Sequence, residues 1–79
     1  LADNMVIREL LKNEGDAEGT RFTTSANIKP NTEQVMLNGL PVPFGAVFPG
    51  QYTVENSNTI VFNDTVLISE HVMITYIKA

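Results

Sequence analysis

His71 is the single histidine of this 79-residue chain, and Ser69 lies two positions before it. In an extended segment the two side chains would share a face. That is the one place where a hydroxyl nucleophile and a general base stand close in sequence. A hydrolase also needs an acid to orient the histidine and an oxyanion hole. Asp64 and Glu70 are the nearby acids, and nothing around Ser69 resembles a nucleophile elbow. These residues read as a turn histidine, at solvent or at an interface, and the chain is expected not to be an enzyme. Glu14, Asp16 and Glu18 alternate and could offer oxygen to Ca²⁺, but a twelve-residue loop closed by a bidentate Glu is missing. They read as a solvated acidic loop, and neither a metal nor a cofactor is expected. Asn63-Asp64-Thr65 fits the N-glycosylation acceptor pattern but reads better as an Asx turn. Cysteine is absent, so no thiolate can attack a substrate or hold a metal.

Four aromatics, Phe44, Phe48, Tyr52 and Tyr76, could stack on a sugar ring. The two tyrosines fit a core better, with their hydroxyls at the rim. The most unusual stretch is Leu40-Pro41-Val42-Pro43-Phe44-Gly45-Ala46-Val47-Phe48-Pro49-Gly50. Its three prolines forbid a central strand or a helix interior. A loop this apolar must fold over its own core or meet another chain. Leu40, Pro41, Val42, Pro43, Phe44, Val47, Phe48 and Pro49 are therefore the candidate interaction surface. Both readings stay open: a lid on one end of the domain, or a contact with a neighbouring subunit.

The elements that must position these residues are short strands. Residues 3–13 are ambiguous. Leu1-Ala2-Asp3-Asn4 could cap a helix, and Ile7, Leu10 and Leu11 have helical spacing, whereas Met5-Val6-Ile7 opens a strand. Residues 13–19 form an acidic, glycine-containing loop. Strands are expected at Arg21–Ser25, Glu33–Asn38, Gln51–Glu55, Thr59–Phe62 and Val72–Lys78, with a short apolar run at Val66–Ile68. Turns are expected at Lys29–Thr32, at Asn38-Gly39, at Asn56–Asn58 and from Asn63-Asp64. The last strand is apolar on both faces, so it is central or its outer face is covered by a partner. The pattern predicts one all-β domain over residues 1–79: a small antiparallel β-sandwich, or partly open barrel, of about six to seven short strands. Residues 1–19 supply its N-terminal strand or arm and the acidic loop.

Composition narrows the functions. A domain this short buries only about 60% of the surface its unfolded chain exposes, and it has no disulfide to staple it, so oligomerisation is favoured. Nine acids face five bases, for a net charge of −4, and the bases are dispersed. That excludes a phosphate-binding patch, hence nucleic acid, and it disfavours an anionic membrane surface. No apolar run has the length of a membrane span.

The block from Phe22 to Ile77 resembles a small β-sandwich module of tailed-bacteriophage virion proteins. The matching pieces are Phe22-Thr23, Pro30, Val35-Met36-Leu37-Asn38-Gly39-Leu40, Gly50-Gln51-Tyr52-Thr53-Val54, Thr59-Ile60-Val61-Phe62 and Thr75-Tyr76-Ile77. The resemblance implies a non-enzymatic structural protein of the virion. Such a protein is a capsid decoration or cement protein, or a tail, fibre, neck or baseplate module, assembled in the bacterial host cytoplasm. It implies an N-terminal strand over a helix, a homo-oligomer, commonly a trimer, and partners such as the major capsid protein. A carbohydrate-binding module contacting host glycan is the alternative. Two features depart from the family: the longer apolar loop, and Ser69-Glu70-His71 where a Gly-Asp pair usually precedes the final strand.

Overall fold

The computed structural model describes residues 4–79. Its seven strands are β1 (Met5–Lys12), β2 (Gly19–Thr23), β3 (Gln34–Leu37), β4 (Leu40–Pro41), β5 (Tyr52–Glu55), β6 (Thr59–Val66) and β7 (Val72–Ile77). They form two antiparallel sheets, ordered β1-β7-β3-β4 and β2-β6-β5. The chain is an all-β sandwich as its pattern predicts; the sheets do not close into a barrel. Among the described residues no helix is long and apolar enough to cross a membrane.

Alternation along the strands builds the core. Val35, Val72, Ile74 and Tyr76 point inward from the first sheet, and Tyr52, Ile60, Phe62 and Val66 from the second. Ile28 and Val42 join them from the connections. Burying each such side chain is worth about 1.5–3 kcal/mol against leaving it in water. β7 lies between β1 and β3, so it is central. Two of its three outward residues, Met73 and Ile77, are apolar as well, and Leu10, Met73, Met36 and Pro41 form one cross-strand row over the four-stranded sheet. Two hairpin turns fall where residues that accept positive φ predict them. Asn38-Gly39 (φ 54° and 83°) joins β3 to β4, and Asn56-Ser57 (φ 54° and 61°) joins β5 to β6. Asn31 (φ 64°) completes the turn after Pro30.

The N-terminal segment is the strand β1, and its helix-like spacing has a physical cause. Register shifts lie between Val6 and Glu9 and between Leu10 and Lys12. At the first, Arg8 takes φ 54° and its amide donates to Thr75 Oγ1 at 3.0 Å. The extra residue in this bulge puts Val6 and Glu9 opposite Tyr76 and Ile74 on one face, three positions apart, and breaks the period of two. The proposed cap at Leu1-Ala2-Asp3 lies outside the described residues.

Three boundaries differ from the sequence reading. β2 begins at Gly19, because Gly19 pairs with Val66, and it ends at Thr23; Thr24 turns inward and its hydroxyl donates to the Ala26 carbonyl. Asn63-Asp64 does not begin a turn but lies within β6, opposite an irregularity in β2 between Gly19 and Arg21. Val66 closes β6, while Leu67 and Ile68 belong to the turn that leads to β7.

Candidate functional site

The proline-punctuated segment divides into parts with different tasks. Leu40-Pro41 pairs with Met36-Leu37 as a two-residue edge strand, a position proline tolerates. Val42 is the one residue of the candidate surface that turns into the core. It is 9% exposed and its amide donates to the Val35 carbonyl at 3.0 Å. Pro43 to Gly45 then run beside β5. Gln51 N donates to Pro43 O and Gly45 N to Tyr52 O, both at 2.8 Å, so the segment covers the open edge of β5. The Phe44 ring meets Tyr52 edge-on, with centroids 5.4 Å apart.

Beyond this point the chain is pinched into a tip. Gly45 and Gly50 pack back to back: a Cβ on Gly50 would collide with the Gly45 backbone. Asn63 Nδ2 donates to Gly45 O at 2.9 Å and to Gly50 O at 3.0 Å, and Gly50 N donates to Val47 O at 2.8 Å. The resulting neck carries Ala46-Val47-Phe48-Pro49, with a cis peptide bond before Pro49. Phe48 is 95% exposed and Val47 79%, and Leu40 and Phe44 are exposed as well. Between tip and β6 runs an open groove of ≈ 650 Å³. Leu37, Phe62 and Val66 line it on the core side, and Asp64 and Glu70 supply its acids.

Asn63 does not form the expected Asx turn; it lies in β6 and clamps the tip. Position in sequence gave no signal for that, because both acceptors lie more than ten residues away. Lys12 is the other residue that sequence reasoning missed. It is 2% exposed, and its ammonium donates to the carbonyls of Leu67 (2.8 Å), Ile68 (3.2 Å) and Glu70 (2.8 Å). A buried charge must be met by such partners, and here they fix the β6–β7 turn. The Glu70 carboxylate accepts from Leu67 N at 2.7 Å and from Asn38 Nδ2 at 3.3 Å, while Asn38 Oδ1 accepts from His71 N at 2.8 Å.

Ser69 therefore sits inside a turn. The extended geometry that would place it on one face with His71 is not present, and the Glu70 carboxylate is taken by backbone and Asn38. In the acidic loop, Asp16 Oδ2 accepts from Asn13 N at 2.9 Å and Glu18 Oε2 from Ile68 N at 3.3 Å. Among the described residues no three potential ligands gather around a metal position. Tyr52 and Tyr76 are 3% and 1% exposed, and they donate to Glu33 (3.0 Å) and Glu9 (2.9 Å). Burial, reinforced by the Glu33 carboxylate, holds the Tyr52 phenol well above its ordinary value. Of the four aromatics considered for sugar stacking, only Phe44 and Phe48 present a ring to solvent. What this end of the sandwich offers is an apolar prominence, pinned at its neck, over a groove with an acidic rim. No family model, curated protein or solved structure matches the chain.

Proposed function

We propose that the chain is a non-enzymatic structural protein of a tailed-bacteriophage particle: a decoration or cement protein of the head, or a module of the tail or its fibres. The observation that carries this reading is the tip. Phe48 is 95% exposed on a neck of paired glycines clamped by Asn63. Leaving a side chain of that size in water forgoes about 1.5–3 kcal/mol. A fold that spends three hydrogen bonds on holding it out fits a surface made for contact. The mechanism is burial of the tip and of the exposed Leu40 and Phe44 against a neighbouring subunit or a shell protein such as the major capsid protein. A homotrimer assembled in the host cytoplasm and carried on the virion accords with a small chain that has no cysteine.

A sugar-binding role has one observation in its favour, the open Phe48 ring beside Asp64 and Thr65 along the groove. The burial of Tyr52 and Tyr76 weakens it. Sedimentation of the native protein, together with co-sedimentation on assembled phage heads, separates the two. The structural reading expects a trimer whose retention on particles falls at least tenfold in Phe48→Ser, as for a central aromatic anchor. A monomer that ignores particles and is retained on host polysaccharide moves the assignment to the sugar-binding module.

A further inference from the structure

We infer that the groove beneath the tip receives a cationic segment of a partner protein, a stretch in which an arginine stands beside an apolar residue. This rests on the reading of the tip as a contact surface and specifies the chemistry of what that surface meets.

The groove has two kinds of wall. Leu37 from one sheet and Phe62 and Val66 from the other give it an apolar floor, and Val47 and Phe48 line it from the tip. Its ≈ 650 Å³ falls in the range of about 300–1,000 Å³ that holds a small ligand or a few side chains. The ionisable residues on its wall are both acids, Asp64 and Glu70; among the described residues no lysine or arginine lines it. Asp64 is exposed, and its carboxylate has no hydrogen-bond or ion-pair partner among the described residues. The Glu70 carboxylate accepts from Leu67 N and Asn38 Nδ2, neutral donors that bring no counter-charge.

The acids behind the groove act in the same sense. The loop carrying Glu14, Asp16 and Glu18 is held to the β6–β7 turn by Gly15 N donating to Ile68 O at 2.7 Å and by the Glu18 bond to Ile68 N. Five of the nine acids of the chain therefore gather at this end. Lys12 offsets one of them, with its ammonium buried on the carbonyls of the same turn. Such a field draws in cations over about 10 Å at 0.1 M salt and repels phosphates and carboxylates.

A purely apolar ligand would set greasy surface against Asp64, and a bare cation would leave Phe48 and the floor in water. A segment with both characters satisfies both walls. Arginine suits the site better than lysine. Its guanidinium plane can lie on the 95% exposed Phe48 ring, and its fork presents paired N–H donors to a carboxylate. The apolar neighbour then covers the floor. The neck is pinned by Asn63 before any partner arrives, which reduces the ordering entropy that opposes binding.

The probes are two end-capped heptapeptides: Gly-Gly-Leu-Arg-Leu-Gly-Gly, and the same peptide with citrulline, which keeps the shape of arginine without its charge. Each is titrated into the intact protein and followed by backbone amide chemical shifts. The arginine peptide is expected to shift Val47, Phe48, Asp64 and Thr65 saturably and to bind about fivefold more tightly than the citrulline peptide. Asp64→Asn removes a charge that no internal bond uses; it should weaken the arginine peptide about threefold and leave the citrulline peptide unchanged. Phe48→Ser should weaken both about tenfold. Peptides that bind alike, shifts that avoid the groove, or an arginine preference that Asp64→Asn leaves intact overturn the inference. So do groove shifts that arise with the peptide inert, whether from a dextran oligosaccharide or from concentrating the protein alone. Retention on phage heads is read separately. Head binding that Phe48→Ser abolishes and Asp64→Asn leaves unchanged ends this inference and leaves the structural role standing; arginine-peptide binding by a protein that ignores heads does the reverse.

Discussion

Two buried groups, Lys12 and Tyr52, set the residue-scale energetics. Lys12 carries its charge into the turn between β6 and β7 and meets carbonyls rather than a carboxylate. Lys12→Met keeps the apolar stem and orphans those carbonyls. It should lower stability by about 2–3 kcal/mol in urea unfolding, the worth of charge-assisted bonds in a buried site. Lys12→Arg should not restore it, because a planar fork does not fit a site shaped for a compact ammonium. For Tyr52, the folded state favours the neutral phenol, so its folded pKa lies above the unfolded value of 10.0. The stability this group contributes is intact below pH 10 and is lost as pH rises beyond it. Tyr52→Phe should therefore flatten the alkaline limb of a stability-against-pH curve. At neutral pH the same change should lower stability by about 1 kcal/mol, for the lost bond to Glu33. Neither residue was fully legible in the sequence. The rim hydroxyl of Tyr52 was, since tyrosine ends are commonly wet or paired; Lys12 was not, because a lysine at a strand end ordinarily faces water.

At the scale of elements, local chemistry was read well where it was short-ranged. Asn38-Gly39 and Asn56-Ser57 declared their turns because few residues accept positive φ. β3, β5 and β7 declared themselves by alternation. The failures lie where one strand leans on another. The β1 bulge imitates helical spacing, and Asn63 looks like a turn former until Gly45 and Gly50 stand opposite it. The neck gives the sharpest prediction at this scale. Gly50→Ala puts a methyl group against the Gly45 backbone and must open the neck. It should destabilise the protein by about 1–3 kcal/mol, as overpacking does, and hydrogen exchange should accelerate at Gly45, Gly50 and Gln51. Asn63→Ala should loosen the same amides with less loss of stability. Unchanged exchange in both variants would mean that the neck does not hold the tip.

For the whole molecule, the two sheets share one core, and stability is thin in a chain of this length, on the order of 4–12 kcal/mol. Ile74 is fully buried on the central strand β7. Ile74→Ala should remove about 2–5 kcal/mol, a large fraction of the total. Circular dichroism and tyrosine emission should still report one coincident transition, since Tyr52 and Tyr76 sit in opposite sheets of that core. Separate transitions would mean that the sheets unfold independently. The all-β sandwich was legible because its signal is repeated in every strand. The gathering of acids at the tip end was not, because Glu14 and Asp64, distant in sequence, come to that end only after folding, the acidic loop being held to the β6–β7 turn by Gly15 N donating to Ile68 O.

The glycine neck also separates two histories. Its paired backbones bring residues 45 and 50 together whatever side chains the intervening tip carries. The side chains at these four positions can therefore change while the frame beneath them answers only to its own core. On the proposed role, substitutions in Ala46-Val47-Phe48-Pro49 would change what the tip contacts without first weakening the scaffold.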